Sequence, residues 1–268
     1  MKIASRRIGP DPHIAVDICG EGEWLFLLHG IGGNKRNWAL NIEEFGRHFK
    51  TVAWDARGYG ESDDYQQDLV FGDFAEDLAR VMDHFGAGKA HLLGLSMGGR
   101  IALSFYEKHP GRVSSLTLCD TYKGFRHFSK DQQEEFIRLR KEPLLAGKEP
   151  RDIAPVVAET LIGNPENTSA FAALVDSMSR LHKESYIKSI EASVHSDHTD
   201  NLDKIDIPTL VVVGSEDRLT PPSLAREITA QIPSARLEII AGAGHLSNIE
   251  EPEAFNQVVL DFLLNLPD

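Results

Sequence analysis

The stretch that decides the fold is Ala90–Gly99, which reads AHLLGLSMGG. Its apolar first half is typical of a buried strand, and residues 100–109 have a helical pattern that Pro110 ends. Between the two stands Gly94–Gly98, a G-x-S-x-G motif in which a sharp strand-to-helix turn lifts the serine hydroxyl clear of the sheet. The five-residue pattern alone also matches flexible loops by chance. Its position between a strand and a helix makes Ser96 a candidate nucleophile.

Outward from this stretch, strand-like runs alternate with helical patterns. The runs cover residues 3–8, 13–18, 24–28, 51–54, 113–119, 209–213 and 236–240, and the first two are expected to pair as a hairpin. Amphipathic helices are expected over 70–85, capped by Gly86, and after Pro252. Another is expected to open at Pro221 with Thr220 as its N-cap. This alternation predicts an α/β fold, a mostly parallel central sheet flanked by helices on both sides.

The strand-like runs disappear between residues 121 and 202. Four helices are expected near 130–141, 151–162, 167–181 and 183–195, separated by Pro143, Pro150 and Pro165. The charged residues of the first helix are interpreted as a solvated face: Lys130, Asp131, Glu134, Glu135, Arg138, Arg140 and Lys141. An all-helical insertion in such a chain is most simply a lid over a site. We therefore expect a core made of 1–120 and 203–268, with a helical cap, 121–202, inserted after the sixth strand.

The composition argues against several functions. In the 268 residues, 28 Lys and Arg stand against 41 Asp and Glu, a net charge of −13. Such a charge disfavours binding to nucleic acids or to anionic membranes. Residues 1–22 are polar and no apolar run approaches membrane-spanning length, so neither a signal peptide nor a membrane segment is expected. Cys19 and Cys119 are interpreted as buried free thiols, although a disulfide stays open, and a reducing, cytoplasmic location is expected.

No metal or cofactor is expected. No Cys/His cluster has metal-ligand spacing, and His182, His195 and His198 are interpreted as polar surface residues. The glycine-rich loop at 29–33 matches neither a P-loop nor a dinucleotide fingerprint. Because it follows a strand, we expect it to point backbone N–H groups at a developing oxyanion. The oligomeric state stays open, a homo-oligomer included.

A serine hydroxyl needs a base within hydrogen-bond reach, and the base needs an acid to orient it. Two later loops supply these groups, since Asp217 and His245 each follow an expected strand. The loops at the carboxyl ends of parallel strands meet at one edge of a sheet, where such folds bind ligands. The order Ser96, Asp217, His245 is also the one expected when the nucleophile sits on this kind of turn.

These segments together resemble the α/β-hydrolase fold family over essentially the whole chain. The matching segments are HGIGG (29–33), DARGYGESD (55–63), GLSMGG (94–99), GSEDRLTP (214–221) and GAGHLSNIEEPEAFN (242–256). The elbow and the last segment look most like 3-oxoadipate enol-lactonases and neighbouring small esterases. The resemblance implies that Ser96 is the nucleophile, His245 the general base and Asp217 the acid. It also implies an oxyanion hole formed by the backbone N–H groups of Ile31 and Met97.

Alternatives stay open at several positions. Asp120 also ends an expected strand, where some family members place the acid, and is otherwise expected to cap the lid. His29 and His91 are alternative bases, although His29 is better explained as support for the oxyanion loop and His91 as a strand residue. Candidates for the substrate pocket are His29, Gly30, Leu219 and Leu246; for the two leucines, core packing is an equal alternative.

The sequence thus predicts a cofactor-independent serine hydrolase that cleaves a small carboxylic ester or lactone through an acyl-enzyme. Carbon–carbon bond hydrolysis of a ring-cleavage product and cofactor-free perhydrolase activity are the enzymatic alternatives. A ligand receptor on a hydrolase scaffold is the alternative from another class, and the complete triad argues against it. Epoxide hydrolases and haloalkane dehalogenases are disfavoured, because those relatives carry an aspartate where this chain has Ser96.

Overall fold

A single sheet organises the computed structural model, which describes residues 2–126 and 128–266. Its eight strands within these ranges are β1 (Ala4–Ile8), β2 (Ile14–Cys19), β3 (Trp24–Leu28), β4 (Lys50–Trp54), β5 (Ala90–Leu95), β6 (Val113–Cys119), β7 (Thr209–Gly214) and β8 (Ala235–Ile240). They lie in the order β1-β2-β4-β3-β5-β6-β7-β8. The hairpin β1–β2 and the pair β2–β4 are antiparallel, and all other neighbours are parallel. The predicted hairpin and the mostly parallel sheet are confirmed.

Helices cover the sheet and fill the long connection between β6 and β7. The α-helices are α1 (Ile42–Phe45), α2 (Gly72–Phe85), α3 (Met97–Lys108), α4 (Lys130–Leu145), α5 (Pro150–Leu161), α6 (Thr168–Ser179), α7 (Lys183–Val194), α8 (Pro222–Gln231), α9 (Ser247–Glu250) and α10 (Pro252–Leu263). Short 3-10 helices cover Lys35–Trp38, Pro110–Arg112 and Thr199–Lys204. At the end of α2, Gly86 adopts the left-handed conformation, with φ 68°, that its predicted capping role requires.

The central strands β5 and β7 are buried along their whole length because both faces of the sheet are covered there. Leu92 of β5 packs in the same cluster as residues of α2, α3 and α8, whereas Leu93 and Leu95 pack with α1 and α10 on the other face. The same division separates Val211 from Val212 in β7. A parallel strand of this kind reads as a continuous apolar run, since alternate side chains enter different cores.

The turn from β5 into α3 packs so closely against β3 that only glycine fits at residue 98. A Cβ built on Gly98 would lie 2.0 Å from the carbonyl oxygen of Leu28. Ser96 takes a φ of 53°, the left-handed region that L-residues rarely adopt. Its backbone N–H donates to the carbonyl of Cys119 in the neighbouring strand, at 2.8 Å. The sheet thus holds Ser96 at the carboxyl ends of its parallel strands.

The four helices α4–α7 lie where a helical insertion after the sixth strand is predicted. The expectation that Pro143 ends the first of them is wrong, because α4 continues to Leu145 with this proline inside it. Proline lacks the N–H that would bond the carbonyl of residue 139.

Other expectations concern the cysteines and histidines. Cys19 and Cys119 are buried free thiols, as predicted. The surface assignment of His198 is wrong, since its ring is buried and its Nδ1 lies 2.9 Å from a carboxylate oxygen of Glu107. A ring with two polar atoms can be buried when both find partners, and its Nε2 meets the hydroxyl of Ser196. Within residues 2–126 and 128–266, no helix combines the length and the apolar character needed to cross a bilayer.

Candidate active site

The structure brings the three predicted residues into one chain of hydrogen bonds. Ser96 lies in the β5–α3 turn, and its Oγ is 2.9 Å from Nε2 of His245. His245 follows β8, and its Nδ1 is 2.9 Å from Oδ2 of Asp217, which follows β7. All three are buried, with relative exposures between 3% and 7%. A proton on Nδ1 would point to the carboxylate and leave the Nε2 lone pair for the serine hydroxyl.

The Asp217 carboxylate is held by the backbone and hydroxyl of its own loop. Its Oδ1 accepts hydrogen bonds from the N–H groups of Leu219 and Thr220, at 2.8 and 2.9 Å. The Thr220 hydroxyl donates to Oδ2 at 2.6 Å and lies 3.2 Å from Nδ1 of His245. The expectation that Thr220 caps the next helix is wrong, because α8 begins at Pro222 with Pro221 as its N-cap. A hydroxyl three residues after a candidate acid is the sequence feature that would have identified this contact.

The charges of the pair shift both pKa values. Burial raises the pKa of Asp217, but the charge and hydrogen bond of His245 and the bonds from Thr220 outweigh burial and lower it to about 2. Burial lowers the pKa of His245, but the charge and hydrogen bond of Asp217 outweigh it, so the net shift is upward. Asp217 is therefore ionised near neutral pH, and it stabilises a protonated imidazole.

A buried glutamate holds the loop that carries His245. Glu250 accepts hydrogen bonds from the N–H of Gly244, at 2.9 Å, and from that of Gly163 beyond α5, at 2.8 Å. The N–H of His245 itself donates to the carbonyl of Leu161 at 2.8 Å. The helical insertion thus contributes directly to the position of His245. Sequence reasoning missed Glu250, since nothing in its local pattern separates it from an ordinary helical acid.

Asp120 supports the site without touching the imidazole. Its Oδ1 accepts from the N–H of Gly214 at 2.9 Å, and its Oδ2 accepts from the hydroxyl of Ser247 at 2.7 Å. Burial and the nearby charge of Asp217 raise the pKa of Asp120 to about 7. In the part of the chain that the structure describes, no hydrogen bond joins Asp120 to His245. Asp217 is therefore the acid in contact with the histidine.

Ile31 and Met97, whose backbone N–H groups are the predicted oxyanion donors, line the same cavity as Ser96. Neither donates a hydrogen bond to any residue that the structure describes. Met97 is the first residue of α3, where an N–H has no partner within its own helix. The partial positive charge of a helix N-terminus also favours an anion at this point. These two groups are thus available to an oxyanion beside Ser96.

Two further histidines lie outside the cavity. The prediction that His29 lines the pocket is wrong, because its fully buried ring accepts a hydrogen bond at Nε2 from the N–H of Ala56, at 3.0 Å, and lies with Nδ1 2.8 Å from the Gly30 carbonyl. Burial lowers the pKa of His29 to about 4, so the ring is neutral and braces the oxyanion loop. His91 lies with its Nδ1 2.8 Å from the hydroxyl of Ser115, away from Ser96.

A largely apolar cavity lies above Ser96, between the sheet and the inserted helices. It encloses about 750 Å³, open mouth included, a size typical of small-molecule sites. Of the pocket predictions, Gly30, Leu219 and Leu246 line it. The insertion contributes residues from each of its helices, among them Phe136, Val157, Leu174, Met178 and Tyr186.

Two arginines also reach the cavity wall. The expectation that Arg140 belongs to a solvated face is wrong, because its side chain lines the cavity, where it is only partly exposed. Arg100, in the second turn of α3, is fully buried. Clusters of three or more His, Cys, Asp or Glu side chains that could hold a metal ion do not occur among residues 2–126 and 128–266.

The triad, its order along the chain and the sheet topology are those of a known family. The family model for the alpha/beta hydrolase fold matches residues 23–252. The chain belongs to the α/β-hydrolase fold family. It is therefore an enzyme of a family of hydrolases that act on small molecules.

Two curated relatives align with about nine-tenths of this chain. A 2-hydroxy-6-oxononadienedioate/2-hydroxy-6-oxononatrienedioate hydrolase of Escherichia coli is 32% identical over 262 residues, 91% of this chain and 88% of that protein. The protein of the same name from Burkholderia vietnamiensis is 31% identical over 253 residues, 90% of this chain and 87% of that protein.

Solved structures of other members superpose closely. A thermophilic esterase from Thermogutta terrifontis has a TM-score of 0.87 and 27% identity, covering 98% of both chains. The enol-lactonase from Burkholderia xenovorans has a TM-score of 0.85 and 25% identity, covering 97% of this chain and all of that one. The resemblance to enol-lactonases and esterases expected from the sequence is therefore confirmed, alongside curated relatives named for a different substrate.

Proposed function

We propose that this enzyme is a serine hydrolase that cleaves a carboxylic ester or a lactone, with Ser96 as nucleophile, His245 as general base and Asp217 as orienting acid. The observation that carries the proposal is the unbroken hydrogen-bond chain from Asp217 through His245 to the Ser96 hydroxyl, at the floor of an apolar cavity. The superposition on an esterase and an enol-lactonase supports the same reaction class.

The reaction proceeds through an acyl-enzyme. The Ser96 oxygen attacks the carbonyl carbon while Nε2 of His245 takes its proton, and the anion of Asp217 stabilises the imidazolium. The N–H groups of Ile31 and Met97 bind the oxyanion, an interaction worth about 3 kcal/mol per donor in comparable enzymes. The imidazolium then protonates the leaving alkoxide, and His245 activates the water that hydrolyses the acyl-enzyme.

A second candidate is carbon–carbon bond hydrolysis of a ring-cleavage product. The curated relatives at 31–32% identity bear the name of hydrolases of an oxononadienedioate, and they span almost the whole chain. The same serine, base and oxyanion donors serve both reactions, with a carbanion instead of an alkoxide as the leaving group. The two candidates therefore differ in the substrate that fits the cavity, not in the triad.

We also propose that residues 121–202 act as a lid over a core made of 1–120 and 203–268. Supporting this division, the cavity has the β5–α3 turn on one side and helices α4–α7 on the other. We place the enzyme in the cytoplasm, because two buried free thiols suit a reducing compartment.

The test compares wild-type enzyme with Ser96→Ala on nitrophenyl esters, lactones and a vinylogous diketone acid. Ser96→Ala should lose at least about 10³-fold in kcat, and wild type alone should be labelled by a fluorophosphonate. Ser104→Ala, a buried serine on the same helix but outside the cavity, is the matched control and should keep its activity. Esterase activity retained in Ser96→Ala would overturn the mechanism, and turnover of the diketone acid alone would favour the second candidate.

A further inference from the structure

Arg140 lies where the catalytic cavity meets the outside. Its side chain lines the cavity over Ser96 and also an outer groove between α4 and α5. Phe136, Val157 and Leu219 also border both spaces, so the groove and the cavity share this part of their wall. Arg140 is thus part of the wall of the cavity that a substrate of Ser96 would occupy.

The charge of Arg140 has no carboxylate partner within residues 2–126 and 128–266. Its Nη1 donates to the carbonyl of Phe136, one turn earlier in α4, at 3.3 Å, and the guanidinium lies 3.9 Å from the centre of the Phe136 ring. Neighbouring cations on the same helix behave differently. Arg138 pairs with Glu135 and Glu142, and Lys141 pairs with Glu191. In a chain with 41 acidic residues, this cation at the cavity stands apart from carboxylates.

The other arginine at the cavity is already occupied. The guanidinium of Arg100 donates to the carbonyls of Ser193 and Ser196, and to the hydroxyls of Ser193 and Tyr122. These bonds connect α3 to the end of α7. Both terminal nitrogens of Arg100 are therefore already hydrogen-bonded, and only its Nε has no partner among the described residues. Of the two cations, Arg140 has more hydrogen-bond donors left for a ligand, because one carbonyl is its partner and Arg100 has four acceptors.

A neutral donor lies in the same wall. Tyr186 of α7 is 1% exposed and borders the cavity. Its hydroxyl makes no hydrogen bond to any other residue that the structure describes. Burial raises the pKa of this phenol, and the nearby charge of Arg140 opposes part of that rise. A phenol hydroxyl without a partner can donate a hydrogen bond to a ligand in the cavity. Arg140 and Tyr186 thus offer a charged and a neutral donor within one cavity.

We propose that Arg140, assisted by Tyr186, binds a carboxylate of the substrate at the mouth of the cavity, so that the enzyme acts on anionic esters or lactones. The inference rests on the proposed serine hydrolase function and names its substrate class. An arginine remains charged at all ordinary pH values and presents two parallel donors to a carboxylate. Because the surrounding wall is largely apolar, the attraction between Arg140 and a carboxylate is screened less there than at the surface.

The first experiment measures kcat/KM for monomethyl adipate, which carries a free carboxylate, and for dimethyl adipate, which does not. We expect the wild-type enzyme to prefer the monoester at least tenfold. Arg140→Gln should reduce this preference by about tenfold to a hundredfold, as loss of a charge-assisted hydrogen bond does, and Tyr186→Phe should reduce it less. Arg138→Gln is the matched control, because it removes the same charge from the exposed side of the same helix. The ratio of kcat/KM for the monoester to kcat/KM for the diester should be the same in Arg138→Gln as in the wild type.

Two results would overturn the proposal. In the first, Arg140→Gln keeps the wild-type preference for the monoester; in the second, Arg140→Gln and Arg138→Gln lose that preference to the same extent. Loss of activity on both esters in equal proportion would also overturn it, since a positioning defect of the helix does not distinguish the two substrates.

A binding measurement separates this inference from the proposed reaction. Calorimetric titration of Ser96→Ala with succinate, glutarate, adipate and suberate requires no turnover. At least one of these dicarboxylates should bind, and Ser96→Ala/Arg140→Gln should bind it at least tenfold more weakly. Equal affinity in both variants, or no binding of any of the four, would overturn the inference. Failure of the reaction itself appears instead as absent fluorophosphonate labelling of wild-type Ser96.

Discussion

At the scale of single residues, the least expected member of the site is Thr220. Its hydroxyl is the shortest contact of the Asp217 carboxylate, at 2.6 Å, and it also lies within reach of His245. A hydroxyl at this point keeps the carboxylate in one orientation, and its hydrogen bond adds to the effects that lower the pKa of Asp217. The orientation of the imidazole thus depends on a residue that carries no charge.

Thr220→Val tests this contribution, because valine keeps the shape of threonine and removes only the hydroxyl. We expect kcat to fall by about tenfold, the effect of one hydrogen bond to a charged group. Thr229→Val, which removes a partly buried hydroxyl bonded to the Ala225 carbonyl in α8, is the control and should stay within about twofold of wild type. Equal activity of the two variants would show that the Thr220 hydroxyl plays no part in orientation.

The raised pKa of His245 predicts the pH dependence of the reaction. His245 accepts the serine proton only when its imidazole is neutral, and Asp217 raises its pKa above the ordinary value of 6.5. Activity should therefore fall as the pH decreases, with the midpoint in kcat/KM above 6.5. Asp217→Asn removes the raising charge, so the midpoint of its residual activity should move to lower pH. A profile of kcat/KM against pH for both enzymes checks this, and identical midpoints would contradict it.

At the scale of elements, the turn between β5 and α3 depends on a close approach to β3. The Cβ of an alanine at residue 98 would meet the Leu28 carbonyl oxygen at 2.0 Å and the carbonyl carbon at 2.6 Å. Both atoms belong to the backbone of a central strand, so neither can move aside without disturbing the sheet. The glycine therefore sets the distance between helix and strand that presents Ser96.

Gly98→Ala should lower the free energy of unfolding by about 2–4 kcal/mol, because α3 must separate from β3. Activity should fall as well, since the same shift displaces Ser96 and the N–H of Met97. Gly88→Ala is the matched control: it lies in an exposed loop where an added Cβ meets nothing within 4 Å. Urea titrations of the two variants provide the comparison, and equal stability would contradict the packing argument.

At the scale of the whole molecule, a buried arginine joins the sheet layer to the inserted helices. Arg100 projects from α3 and donates to the carbonyls of Ser193 and Ser196, at the end of the last helix of the insertion. Its guanidinium also lies 4.8 Å from the ring centre of Phe71 and 5.1 Å from that of Tyr122. Together with the bond from His245 to the Leu161 carbonyl, these contacts hold the insertion over the sheet.

Arg100→Met removes these donors while keeping a long apolar side chain. We expect a loss of about 3 kcal/mol in the free energy of unfolding, because two buried carbonyls lose charged partners. Arg47→Met breaks only an exposed pair with Glu44 and should change stability by less than about 0.5 kcal/mol. The free energies of unfolding are measured by denaturant titration, and they are compared only if the two variants have the same m-value. A stability of Arg100→Met equal to that of Arg47→Met would mean that the insertion is held by apolar packing alone.

Much of this architecture was predictable because local patterns carry it. Alternation of apolar runs and helical segments predicted the parallel sheet, since β5 and β7 are buried on both faces. The G-x-S-x-G turn predicted Ser96 at a carboxyl edge, and the loops after two other strands predicted Asp217 and His245. Each of these inferences needs only the residues within one strand and its following loop.

The errors have a common origin in contacts between distant segments. Local capping rules place Thr220 at a helix start, but Asp217 and His245 compete for its hydroxyl. Charge spacing alone made Arg140 a surface residue, although α4 turns this position towards the cavity. His29 follows a strand beside the oxyanion loop, which suggested a place in the pocket. Its ring instead accepts a hydrogen bond from the backbone N–H of Ala56, in a loop after another strand.

The amino-acid sequence by itself determined the sheet, the serine turn and the order of the three triad residues, because periodicity and glycine placement act over a few residues. Only the tertiary structure shows that the alternative acid, Asp120, binds Gly214 and Ser247 and makes no hydrogen bond to His245 among the described residues, whereas the predicted acid, Asp217, does. It also decided that Arg140, which has no carboxylate partner among the described residues, lines the same cavity as Ser96. Side-chain direction and burial depend on the meeting of segments far apart in the chain, and no local pattern contains that information.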